Sequence, residues 1–108
     1  FLIQNYFEGV ARFNFEDLCN NNIGAEDYIE IAIVCKYIII ENLPNFYNSN
    51  SDQQQRFITF VDIIYEKKIK LIISCISDLN DLTSANSLLK PFKRTLSRLH
   101  ELTSNSNT

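Results

Sequence analysis

Gln53–Ser74, QQQRFITFVDIIYEKKIKLIIS, reads as one helix running straight into one buried strand. Phe57, Phe60, Val61 and Ile64 recur at i, i+3, i+4 and i+7, the stripe that a helix turns toward a core. After the charged break Glu66-Lys67-Lys68, the run Ile69 to Ile76 is β-branched and almost unbroken. That composition predicts a strand covered on both faces, and such strands are usually parallel. Upstream, Tyr37-Ile38-Ile39-Ile40-Glu41-Asn42-Leu43 reads as a second buried strand, ended by Pro44. Strand, loop, helix, short turn and strand make a βαβ unit, so the fold class is α/β with parallel strands and flanking helices.

Working outward, Ser51-Asp52-Gln53-Gln54 fits a capping box that starts the central helix. On the amino side, Gly24 and Ala25 open an earlier helix with Glu26 and Asp27 in its first turn, where carboxylates favour the positive end of the helix dipole. Tyr28, Ile31, Ala32 and Cys35 keep helical spacing. Val10–Phe15 has strand character, Glu16–Cys19 starts a helical turn, and the Asn20-Asn21-Asn22 run breaks it. Phe1–Tyr6 is apolar enough for a strand. On the carboxyl side, Asp78–Ser84 is a loop, and Pro91 occupies the first turn of a last helix with Phe92, Leu96, Leu99 and Leu102 as its apolar stripe. Arg94, Arg98 and Glu101 fall on the opposite face, and 104–108 is a polar tail.

A chain of 108 residues is a single domain at most. It opens on Phe1 and contains no methionine, which sets the expectation of a partial α/β domain, 1–108, cut from a longer product. Net charge is −3, unevenly placed: residues 1–52 hold Arg12 and Lys36 against eight carboxylates, and residues 53–108 reverse the sign. The acidic pI argues against a dedicated nucleic-acid binder. Cys19, Cys35 and Cys75 are widely spaced and accompanied by one histidine, so neither a zinc site nor a disulfide framework is expected, and no metal ligands are assigned. No apolar run approaches the roughly 20 residues of a membrane span.

With two glycines, no Gly-x-x-x-x-Gly-Lys-Ser/Thr phosphate loop is present. His100 has no nucleophile partner in the pattern, and Glu16-Asp17 and Glu26-Asp27 are adjacent and splayed apart, so no catalytic residue is assigned. Glu41 and Asn42 lie at the carboxyl edge of the sheet, where open α/β folds bind ligands, or are simply a solvated strand end. Arg94 and Arg98, at i and i+4, either grip a phosphate or an adjacent subunit, or form a solvated face paired with acids.

Four blocks in order carry a resemblance: Ala11–Cys19, Gly24–Tyr28, Arg56–Asp62 with Tyr65, and Phe92–Leu99. Over residues 9–104 the chain resembles the carboxyl-terminal part of the ZapE/AFG-like ATPases, P-loop enzymes of the AAA+ kind acting in bacterial cell division and mitochondrial protein quality control. The resemblance implies an absent amino-terminal ATPase half carrying the phosphate loop, with ATP and Mg bound only in the intact parent. It implies an oligomeric parent acting on a protein substrate or division component, in the bacterial cytoplasm or the mitochondrion. In the family the helix block reads Arg-Arg-Phe-Ile and here Gln55-Arg56-Phe57-Ile58, so only Arg56 carries over. The family's strand-end aspartate is here Glu41, and its proline-containing loop has become Ile76-Ser77-Asp78-Leu79. The Phe-x-Arg-Thr-x-Ser-Arg-Leu block is intact and implies a phosphate-sensing or intersubunit role for Arg94 or Arg98. The competing expectations are a stand-alone protein-interaction module, a gene remnant included, and a small anion- or nucleic-acid-binding domain using Lys90, Lys93, Arg94 and Arg98.

Overall fold

The computed structural model of the chain describes residues 5–20 and 22–103. The 104–108 tail and the first four residues of the Phe1–Tyr6 strand lie outside them, as does Asn21. The central helix, α3 (Ser51–Glu66), buries Phe57, Phe60, Val61 and Ile64 as their spacing predicts, and adds Gln54 and Ile58. It stops on a Schellman turn: the Lys68 amide donates to the Tyr65 carbonyl and the Ile69 amide to the Ile64 carbonyl, both at 3.1 Å. Lys68 holds the left-handed conformation (φ 56°) usually given to glycine, and Ile69 is drawn into the core behind it.

The turn delivers the chain into strand β4 (Lys70–Cys75), which pairs in parallel with β3 (Tyr37–Leu43). Next to β3 lies β2 (Val10–Asn14), also parallel, and β1 (Asn5–Phe7) completes a four-stranded sheet in the order β1-β2-β3-β4. β1 and β2 form an antiparallel hairpin through Glu8-Gly9, both at positive φ, as a tight two-residue connection requires. Between β2 and β3 come α1 (Phe15–Leu18) and α2 (Ala25–Val34); α4 (Leu89–Thr103) follows β4 after a loop holding two short 3-10 turns. Asn14 caps α1 by accepting from the Glu16 amide.

The described helices all pack against one face of the sheet. Ala11, Phe13, Ile38, Ile40 and Leu71 point into them and are buried, while the alternate residues Val10, Arg12, Tyr37 and Ile72 are exposed. The expectation that β4 is covered on both faces therefore fails: Ile72 is 56% exposed. The parallel pairing expected of that strand holds, so the fold is mixed α/β with a mostly parallel sheet and flanking helices.

Between sheet and helices, Phe15, Phe46, Phe57 and Phe92 form a chain of tilted and edge-on rings with centroids 5.5–5.9 Å apart. Tyr28 meets Phe60 edge-on at 5.1 Å, and its hydroxyl donates to the Leu18 carbonyl at 2.8 Å, so this buried aromatic leaves no polar atom unpaired.

Near its end β3 carries an irregularity. Pairing with β4 shifts between Ile40 and Leu43, and Asn42 adopts a left-handed conformation (φ 63°). The shift resets the alternation, so Leu43 points into the core instead of away from it. Asparagine tolerates this conformation and a β-branched residue does not. Asn42→Val is expected to cost about 1–2 kcal/mol, read as a lower urea midpoint with an unchanged slope.

The capping box expected at Ser51–Gln54 does not form. The N-cap is Asn50, whose side chain accepts from the Tyr47 amide (2.7 Å) and donates to the Asn45 carbonyl, bracing the preceding loop. Gln54, one turn into the helix, faces inward and is fully buried.

Candidate functional site

α4 lies against α3 and β4, which sets the surroundings of the two arginines. Phe92, Thr95, Leu99 and Leu102 form its buried stripe, with Leu96 partly buried beside it. Arg94 and Arg98 flank that stripe on the side facing α3, not on an opposite, solvated face. There both converge on one carboxylate: Arg98 donates to Asp62 Oδ1 at 2.6 Å and Arg94 to Asp62 Oδ2 at 3.4 Å. The Arg98 guanidinium also lies 4.5 Å from the centre of the Tyr65 ring. The Tyr65 hydroxyl donates to Glu101 Oε1 at 2.7 Å, a bond that raises the pKa of the phenol.

The two arginines are not equivalent. Arg98, with its side chain 24% exposed, is held by a short ion pair and a ring face. Arg94, at 53%, has one long contact and keeps most of its five N–H donors toward solvent. Arg98 is the clamp, worth about 1 kcal/mol for a pair this accessible; Arg94 is the more exposed and more loosely held of the two.

Arg56 stands elsewhere. Six positions before Asp62, about 9 Å along the helix axis, it donates to the Cys19 carbonyl at 3.4 Å and ties α3 to the end of α1. The neighbouring Cys19 thiol is pushed up to about 12, first by burial. It is inert as a nucleophile at neutral pH. Glu41 lies across the sheet from both groups, 3.7 Å from the Arg12 side chain on the face without helices. The structure thus brings Arg94 and Arg98 together and leaves Arg56 and Glu41 in separate surroundings.

At the carboxyl edge the loops after β3 and β4 are stitched by side-chain amides. Gln54 Nε2 donates to Ser84 Oγ (2.7 Å), and Gln54 Oε1 accepts from the Ala85 amide (3.0 Å). Asn45 Nδ2 donates to Ser77 Oγ, and the Thr83 hydroxyl donates to the Phe46 carbonyl. The sequence leaves Glu41 and Asn42 at this edge as either a ligand-binding position or a solvated strand end, and the polar side chains of Gln54, Asn45 and Thr83 here are committed to neighbours within the edge. The sequence assigns Gln54 to a capping box and not to this role; its one signal was a polar residue on the apolar stripe of α3.

Among the described residues no cluster of three or more His, Cys, Asp or Glu converges, and no helix is long and apolar enough to cross a membrane. Both glycines are accounted for: Gly9 turns the hairpin, and Gly24 precedes α2.

The sequence pattern of the AFG1-like ATPases matches residues 2–107, nearly the whole chain. The chain belongs to the AFG1-like ATPase family. Among curated relatives it is 31% identical over 93 residues to lactation elevated protein 1 homolog B of Danio rerio, covering 86% of this chain and 18% of that protein. It is 30% identical over 91 residues to the cell division protein ZapE of Escherichia coli, covering 84% of this chain and 24% of the relative. The chain therefore spans less than a quarter of the length of these AFG1-like relatives. No solved structure matches it significantly.

Proposed function

We propose that the chain is the carboxyl-terminal portion of an AFG1-like ATPase of the AAA+ kind, whose ATP hydrolysis drives work on a protein partner in cell division or protein quality control. The carrying observation is the family match across residues 2–107 in a chain whose two glycines build no phosphate cradle. In this reading the nucleotide and its magnesium are held by another portion of the enzyme. The present residues supply a sheet, a helical layer and an accessible guanidinium, Arg94, paired beside Arg98 on Asp62. A guanidinium so placed answers either charge on a transferred phosphoryl group or a carboxylate of an adjacent subunit.

The test is steady-state ATP hydrolysis by the full translation product of the coding region beside the 108 residues alone. Hydrolysis by the full product and none by the shorter chain is the expected result. An in-frame Gly-x-x-x-x-Gly-Lys-Ser/Thr upstream of Phe1 agrees with it. A stop codon directly upstream, or a longer product without ATP turnover, sinks the reading in favour of a stand-alone interaction module.

A further inference from the structure

A sheet with two parallel strand pairs is ordinarily sandwiched, because crossover helices cover both its faces. Here β2, β3 and β4 follow one another in sequence order, and every described helix packs on the same side. The other side presents Phe7 (73% exposed) and Val10, Tyr37, Ile39 and Ile72. The paired positions place them in rows: Phe7 beside Val10 and Tyr37, and Ile39 between Arg12 and Ile72. The result is an apolar surface bordered by charge, Lys70 at one end and the Arg12–Glu41 pair toward the other. Isolated exposed apolar residues are ordinary, but a contiguous set on one sheet face is the mark of a surface built to be covered.

We propose that this face is the seat of another portion of the same AFG1-like ATPase, which lays a second layer of secondary structure across β1–β4 and buries Phe7, Ile39 and Ile72. The inference rests on the reading given under Proposed function. Two observations select this occupant. The relatives are more than four times as long as the aligned region, so most of such an enzyme lies outside these residues. The face has the chemistry of a domain interior, aliphatic and aromatic at its centre with an ion pair at its border, not the single-sign charge of a surface for nucleic acid or anionic lipid.

The experiment is thiol labelling of the full translation product carrying Ile72→Cys in a Cys75→Ser background; Cys19 and Cys35 are buried and label slowly. Maleimide labelling of the native protein is compared with labelling of the same protein in urea. Covering of the face predicts native labelling slower by about a hundredfold or more. Radical footprinting of the unsubstituted product, with little modification at Phe7, Tyr37 and Ile72, is the parallel expectation and does not depend on the substitution being tolerated. Native labelling within about tenfold of the urea rate, together with open footprints, overturns the inference, while ATP turnover in the same preparation leaves the broader reading standing. Protection that grows with concentration in the 108-residue chain alone assigns the face to a second copy and also overturns it. If the coding region yields only these 108 residues, the reading falls and the inference with it.

Discussion

Phe57→Ala is expected to lower the unfolding free energy by about 3–5 kcal/mol, the largest effect of any single truncation on α3. Phe57 is fully buried and sits 5.9 Å from both Phe15 and Phe46, so its ring is shared by α1, the loop after β3 and α3. Removing it leaves a cavity whose walls are ring faces fixed from three directions, which limits collapse around the void. Because a domain of this size holds roughly 5–15 kcal/mol in total, the variant should be partly unfolded at 37 °C. Urea unfolding followed by circular dichroism checks this. A loss below about 1 kcal/mol would mean the ring cluster is not the centre of the core.

The second large effect concerns activity. In an ATP-hydrolysing full product, Arg94→Ala is expected to reduce turnover tenfold or more, which is about 1.4 kcal/mol of barrier. Arg94 makes one 3.4 Å contact and is mostly exposed, so the unfolding midpoint of this variant should scarcely move. Arg98→Ala should lower both quantities, because Arg98 holds Asp62 at 2.6 Å and covers the Tyr65 ring. The ratio between the two losses separates a side chain that meets charge in the transition state from one that positions its neighbour. Unchanged turnover in both variants removes the arginines from the mechanism.

Much of the architecture was readable from residue order, for identifiable reasons. α3 declares itself because four apolar side chains repeat at helical spacing, and β4 because Ile69–Ile76 is dense in β-branched residues. The same density misled about cover. A continuous apolar run has no parity, so nothing in it distinguishes a strand buried on two faces from one buried on one face with Ile72 left outside. The βαβ order carried the parallel pairing, and Pro44 marked the end of β3.

The arginine site was half readable. Spacing puts Arg94 and Arg98 one turn apart on α4, but it gives no hint that Asp62, 32 and 36 positions earlier, receives both. Long-range ion pairs leave no periodic trace. Gln54 was misassigned for a related reason: a glutamine three positions after a serine satisfies the capping pattern, and only the tertiary fold shows its amide committed to Ser84 and Ala85. Arg56 and Glu41 entered through resemblance, and the geometry sets them apart from the pair on α4 and from each other.

The sequential strand order has a consequence for how the polypeptide acquires its shape. No described strand waits for a partner from the far end of the chain: the hairpin can zip first, β3 adds when α2 has closed the loop behind it, and β4 adds when α3 has done the same. Such stepwise growth suits synthesis on the ribosome, where amino-terminal pieces emerge earliest. The last addition, α4, then fastens β4 by docking on it and on α3. A chain ending before Leu89 would hold all four described strands under a helical cover that lacks its final member.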